Sequence, residues 1–463
     1  MKTFLKRLSG ILLVLAGLLL IFHGIENWRG ARALARWEVT SKALGQPLSL
    51  EELAPPPIPD AENFAQHPGV ADAIAGRPQP EGPVLPAALS DGELFRAWEQ
   101  GRVVDQEALK AQLKVADLGS LLEPFAEQLR GLEEASLRPH SRIMRVYNDE
   151  IPALLGLRQR ARVLSLRALI ALRAGKSQAA LDDVLTLLRV VHHLEREPQL
   201  ISQLLRIGYV RIALQPIWEG LHEQRWNEAQ LASLQAGLSG VDLLTNWQRS
   251  WTAESVYIRG NMQKMAAAPL WPRPHYFGDP KSGRLADYLF PFFVPRGWIQ
   301  QNQIRAEQQR RAQWIDIIDP VQHTLDARAS ERATAQWTQA PRRPYNFLAR
   351  LIITDDADWN SRVAHTQSSL DQARVACALE RHHLARHAYP ERLQDLLPAF
   401  TAQLPGDLSN HGQPLQYRKG VQGYRLYALG WDGLDQRGQV ALDTQKPPRH
   451  NLKQGDWMWE RGE

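Results

Sequence analysis

The chain has 463 residues, 44% of them hydrophobic and 23% charged, an ordinary globular balance with room for two or three domains that excludes wholesale disorder. The 55 Lys and Arg against 50 Asp and Glu leave a net charge of +5, spread along the chain without a run dense enough for a nucleic-acid footprint, so no nucleic-acid partner is expected. A single cysteine, Cys377, excludes an intramolecular disulfide, and its setting in ARVACALE reads as helix packing.

The N-terminus begins with Lys2, Lys6 and Arg7, followed by an uncharged run from Leu8 to Ile25. At about 1.5 Å per residue this run is roughly 27 Å long as a helix, just enough to cross a hydrocarbon core. A cleaved signal peptide is the rival reading, but Glu26-Asn27-Trp28-Arg29 is the wrong chemistry for a cleavage site. The expectation is a tail over 1–7 and an uncleaved anchor over 8–25. Arg29, Arg32 and Arg36 after the span nearly balance the charges before it. The positive-inside rule therefore favours an inside N-terminus only moderately, with the bulk of the chain on the far side.

Residues 26–90 carry APPPIPD and GRPQPEGPVLP, and proline at this density predicts a stalk or linker. From 91 to 260 apolar residues recur at helical spacing. Leu164, Ala168 and Leu172 share one face; after a Gly175-Lys176 turn, Leu181, Val184, Leu188 and Val191 share another, and a third helix runs to about Gly220. These predict an antiparallel helical hairpin within one irregular helical domain.

Residues 261–358 begin rich in Pro and aromatics, in PLWPRPHYFGDP and YLFPFFVPRGW. Phe290, Phe292, Phe293 and Trp298 are read as a cluster that either packs on the helical domain or dips into the membrane interface. Helix is expected again from about Gln300 to Trp337 and from about Trp359 to His387. Over 359–463 the pattern changes: LQYRKGVQGYRLYALG alternates on a period of two about a Gly-containing turn, a hairpin signal. The expected fold is mainly α, with one N-terminal transmembrane helix, an irregular α-helical domain and a small C-terminal α+β module.

The order ALERHHLARHAYPERLQDLLPAF, LPGDLSNHGQPLQYR, YRLYALGWDGLDQRG and GDWMW is similar to the C-terminal part of the major pseudopilins of type II secretion, over about residues 360 to 460. The whole arrangement also resembles bacterial membrane-anchored proteins with a helical middle domain, whose function is uncharacterised. The pseudopilin resemblance implies a calcium loop, with Asp432 and Asp435 at the family's acidic positions. The next two positions, commonly acidic and Gly, are Gln436 and Arg437 here. Calcium takes six to eight oxygens and a cation in the loop repels it, so a turn held by Asp side chains stands beside calcium as the alternative. No prepilin-type leader is read at the N-terminus, which argues against a fibre subunit.

Glu380, His383 and His387 share a helical face, and Glu219 with His222 makes a second Glu-x-x-His. Two such pairs belong to the recipe of a di-iron bundle, but a chain with 14 His gives them close to chance frequency. Gly175-Lys176-Ser177 is not a phosphate loop, because Ile170 stands where that motif needs Gly. Asp355, Asp356 and Asp358 read as the start of a helix. With no catalytic set recognised, the expectation is a membrane-anchored envelope protein that binds or assembles with a protein partner, in the bacterial inner membrane by the resemblance. A membrane-tethered, metal-dependent enzyme is the alternative.

Overall fold

The computed structural model describes residues 2–53, 56–75, 82–143, 155–267, 294–353, 358–421, 423–444 and 448–461. It is 64% helix and 8% strand. The elements used below are α1 (Lys2–Ala43), α2 (Pro68–Ala75), α3 (Ala126–Ser136), α4 (Leu155–Arg173), α5 (Ser177–His193), α6 (Leu200–His222), α7 (Glu228–Ser239), α8 (Leu244–Ala267), α9 (Arg296–Arg310), α10 (Phe347–Ile352) and α11 (Asp358–Arg386). The strands are β1 (Gln416–Lys419), β2 (Tyr424–Ala428), β3 (Val440–Leu442), β4 (His450–Gly455) and β5 (Trp457–Arg461). The chain divides into two compact units: one of residues 1–53, 251–316 and 330–356, the other of 54–250, 317–329 and 357–463. These bounds replace those expected from composition.

In the first unit, α1 does not stop at Ile25. No proline interrupts it before Pro47, and it closes only at Gly45, in the left-handed region, where Gln46 N–H returns to Ser41 O. Its first part carries the long apolar run, none of it buried and sufficient in length to cross a membrane. Its second part packs on α9 at a glycine crossing: a Cβ on Gly297 would lie 1.8 Å from Glu26 O, and one on Gly30 2.3 Å from Gly297 Cα. Only glycine on both sides permits that approach. Met262, Met265, Ala266, Ile299 and Leu348 form the small apolar core. Asn302 on α9 supplies the polar joint. Its Oδ1 accepts from Leu348 N (2.9 Å) and Ala349 N (3.2 Å), satisfying orphan donors at the start of α10.

The first unit also buries charge. Arg259 on α8 donates to Glu307 Oε1 on α9 at 3.0 Å, with its guanidinium over Trp37 of α1 at 4.7 Å from the ring centre. Burial pushes the Glu307 and Glu254 carboxyls upward and the Arg310 guanidinium downward.

The second unit is built on the expected hairpin. α4 and α5 turn at Gly175, whose φ of 71° needs a residue without Cβ. α6 follows and is buried around nearly its whole circumference from Arg206 to Leu221. The fully buried Arg206 donates Nε–H to Val191 O (2.9 Å) in the last turn of α5 and Nη1–H to Asp242 O (2.9 Å). A cation on terminal carbonyls suits the negative end of α5.

The proline-rich stretch is not a linker where it is described. Phe64 and Val70 have no exposed surface; Phe64 stacks on the His193 ring at 4.3 Å. α2 lies on α3 with Gly69 against Gly131. Pro68 starts α2, where a missing N–H costs nothing, so this proline initiates structure instead of blocking it.

The helix expected from Gln300 to Trp337 is two pieces. It breaks after α9 into a π-turn over Arg311–Ile315 and a two-residue hairpin pairing Ile318 with Leu325, then resumes at Ala327. Pro320 and the Asp319 side chain, which accepts from Val321 N and Gln322 N, fold the chain back there.

α11 is a 29-residue helix with an unusually polar buried face. Three of its buried amides bond across to other elements. Asn360 Oδ1 accepts from Trp247 Nε1 (3.0 Å), Gln367 Oε1 accepts from Leu243 N (2.8 Å), and Gln372 Nε2 donates to Trp457 O (3.1 Å). The C-terminal sheet has order β1-β2-β5, all antiparallel, with Tyr417 opposite Leu426 and Leu426 opposite Trp459; β3 and β4 form a second pair. The alternation read over Leu415–Ala428 is this hairpin, and the GDWMW stretch closes the sheet. Cys377 is wholly buried and its thiol is pushed up to about 12 by burial, an inert core residue.

Candidate functional site

The acidic loop follows β2. Asp432 Oδ1 accepts from Leu434 N (2.9 Å), and its Oδ2 from Gly455 N (3.1 Å) and Gln436 Nε2 (3.1 Å). Asp435 Oδ1 accepts from Arg437 N (2.8 Å) and Tyr427 OH (3.2 Å). Arg437 takes a φ of 63°, so the position commonly Gly in pseudopilins keeps a glycine-like conformation. Asp456 adds a third, buried carboxyl that accepts from Gly438 N; burial, then the Asp435 and Asp432 charges, pushes it upward. The bonded oxygens of Asp432 and Asp435 lock the loop to β4 and β2, while Asp456 Oδ1 is buried without a hydrogen-bond partner. No group of three or more His, Cys, Asp or Glu side chains able to hold a metal is present among the described residues, and the loop has the geometry of an Asp-stabilised turn. It is a poor fit to calcium's demand for many converging oxygens.

Glu380 and His383 come together with His387 along a cavity of about 310 Å³, whose other wall is Gly220, Leu221, Gln224 and Trp226. Glu380 is buried and accepts from Tyr389 OH at 2.9 Å, while the His383 ring stacks on Tyr389 at 4.5 Å. The second Glu-x-x-His does not complete a bundle site. Glu219 accepts instead from Val104 N and Gln215 Nε2, both at 2.8 Å, and burial pushes its carboxyl up to about 7. His222 stacks on Trp218 at 4.7 Å. Helical spacing put the two pairs on faces correctly; it carried no information about what those faces meet.

A third cluster lies outside anything read from the sequence. His365 on α11 stacks on Trp98 (5.9 Å between ring centres) and meets the rings of His450 on β4 (5.0 Å) and Trp457 on β5 (5.5 Å) edge-on. His365 Nδ1 and both ring nitrogens of His450 are buried without a hydrogen-bond partner. Burial holds His365 well below the ordinary imidazole range and His450 at about 4, with the Arg211 cation pressing the same way on both. Arg211 is itself paired with Glu99, Nε to Oε1 at 2.8 Å. The two histidines are 85 positions apart, and only the fold joins them.

Trp298 sits beside the end of the apolar run. Its ring meets Phe22 edge-on at 5.7 Å and its Nε1–H donates to Glu26 Oε2 at 3.0 Å. Phe290, Phe292 and Phe293 lie outside the described residues, as do Asp355 and Asp356; α11 begins at Asp358. Compared with family models, curated proteins and solved structures, the chain has no match in any of the three.

Proposed function

We propose that this chain is a membrane-anchored envelope protein with a non-enzymatic binding or assembly role, held by the span over 8–25 and presenting a C-terminal module that resembles a pseudopilin. The observation that carries the reading is the two-part character of α1: an exposed apolar run continuous with a segment that packs on α9 through Gly30 and Gly297. The unbroken run of α1 from the apolar stretch into the folded unit supports an anchor over a cleaved signal sequence. Val421 and Leu434 are exposed on the module and offer positions from which a protein partner can be probed. By the resemblance the membrane is the bacterial inner membrane, with the bulk of the chain outside the cytoplasm.

Two measurements test this. Alkaline carbonate should leave the intact chain in the membrane pellet, and protease added to spheroplasts should digest everything beyond the span; release of the chain sinks the anchor. Photo-crosslinkers at Val421 or Leu434 should give discrete adducts in membranes. Adducts absent at both, together with turnover that one point substitution abolishes in a folded protein, favour the second reading. That reading is a tethered enzyme working at the Glu380, His383 and His387 cavity, and the cavity is what supports it.

A further inference from the structure

We infer that the first turns of α1 beyond the span form a collar that binds the phosphate of anionic phospholipid headgroups; this rests on the anchor reading. Trp28, 62% exposed, stands three residues past Ile25, and Arg32 and Arg36 follow it at helical spacing, both exposed. Along the axis their backbones lie about 10 and 16 Å beyond Ile25, outside a headgroup layer roughly 5–8 Å deep. The Arg32 side chain closes that gap, and Arg36, held at the level of the Arg32 carbonyl, adds its charge from just outside the layer. Helical Cα–Cβ bonds tilt towards the N-terminus, here towards the bilayer, and long basic side chains extend the same way.

The structure shows the reach directly. The Arg32 guanidinium lies over the Trp28 ring at 5.4 Å, and Arg36 Nε donates to Arg32 O, one turn nearer the span. Beside them the Arg29 guanidinium faces the Tyr345 ring at 5.8 Å, and Trp298 meets Tyr345 edge-on at 6.2 Å. Glu26, the carboxylate at this level, is buried and already held by Trp298, Tyr345 and Arg29, so it does not neutralise the outer arginines. Indoles at the boundary with guanidiniums just outside them match a phosphate-bearing, amphipathic layer. An ordinary solvated helix has no cause to place its aromatic and cationic groups in that order from the apolar end.

The test uses the full chain in nanodiscs of mixed phosphatidylcholine and phosphatidylglycerol, with the lipid retained on delipidation counted by native mass spectrometry. Phosphatidylglycerol should be enriched, and Arg32→Gln and Arg36→Gln should each lower the enrichment about fivefold. Circular dichroism confirms that the variants fold. Equal retention of the two lipids, or enrichment unchanged in the double variant, overturns the collar while the anchor stands. Inorganic phosphate retained on the wild-type chain without any enrichment of phosphatidylglycerol assigns the arginines to a soluble ion and also overturns it. Release of the wild-type chain by alkaline carbonate removes the anchor and the collar together.

Discussion

Acidification should loosen the second unit through the His365–His450 pair, and the size of the effect follows from the site. In the folded chain His450 titrates at about 4 against an ordinary 6.5. Between those values the unfolded chain binds more protons than the folded one, so this contribution is fully present above pH about 6.5 and is lost as the pH falls through about 4. At pH about 5 the single imidazole costs about 2 kcal/mol relative to neutrality, and about 3 kcal/mol once both states are protonated. His365, more deeply buried against Trp98 and Trp457, acts in the same direction.

Buried carboxyls such as Glu219 and Asp183, raised to about 7 and about 6, oppose this trend, so the assay must be a difference. His450→Phe keeps a planar ring of similar size and removes the titration. Between pH about 7 and about 5 the wild type should lose roughly 3–5 °C of melting temperature more than His450→Phe does. His365→Phe should act likewise, and the double variant should be the flattest of the three. Parallel loss in the wild type and both single variants would refute the assignment of the acid sensitivity to these rings.

Gly297→Ala should cost about 1–3 kcal/mol in thermal melting, since its Cβ meets Glu26 O, and a normal melting temperature would deny the helix crossing. Adding calcium should leave the melting temperature unchanged, whereas Asp432→Ala should lower it by about 1 kcal/mol of stability with or without the ion, through the lost bonds from Leu434, Gly455 and Gln436; a calcium-dependent gain that Asp432→Ala abolishes would restore the metal loop. Glu219 is raised in the fold, so its contribution is present below about pH 4.5 and is lost as the pH rises through about 7. Glu219→Gln should therefore flatten the decline in stability between about pH 4.5 and about pH 7, and an unchanged pH–stability curve over that window would contradict the burial of that charge.

What could be read from the sequence divides along a physical line. Local signals survived. The apolar run, the turn at Gly175, the alternation from Leu415 to Ala428 and the burial of Cys377 depend on neighbours within a few residues. What failed was whatever tertiary contact decides. The prolines before Phe64 looked like a stalk because composition does not reveal that Phe64 and Val70 are wholly buried. The first unit is stitched from three separated stretches, invisible to any scan for composition shifts. Glu219 and Glu380 sit in the same motif, yet one is spent on the Val104 amide and the other edges a cavity. No local pattern distinguishes them. The polar face of α11 is buried because Asn360, Gln367 and Gln372 find partners on distant elements, and those partners leave no trace in the helix's own sequence.

The unbroken α1 has a mechanical consequence. Backbone hydrogen bonds run from Lys2 to Ala43 without proline or kink-forming insertion, and beyond Ile25 the helix is clamped at Gly297 and Trp298. Such a rod resists bending and twisting. Under the anchoring proposed above, a tilt or rotation imposed on it by bilayer thickness, or by a neighbour in the membrane, meets no swivel before the clamp. It must be delivered as torque to α9 and to the buried Arg259–Glu307 joint behind it. On that proposed anchoring, α1 acts as a drive shaft rather than a tether.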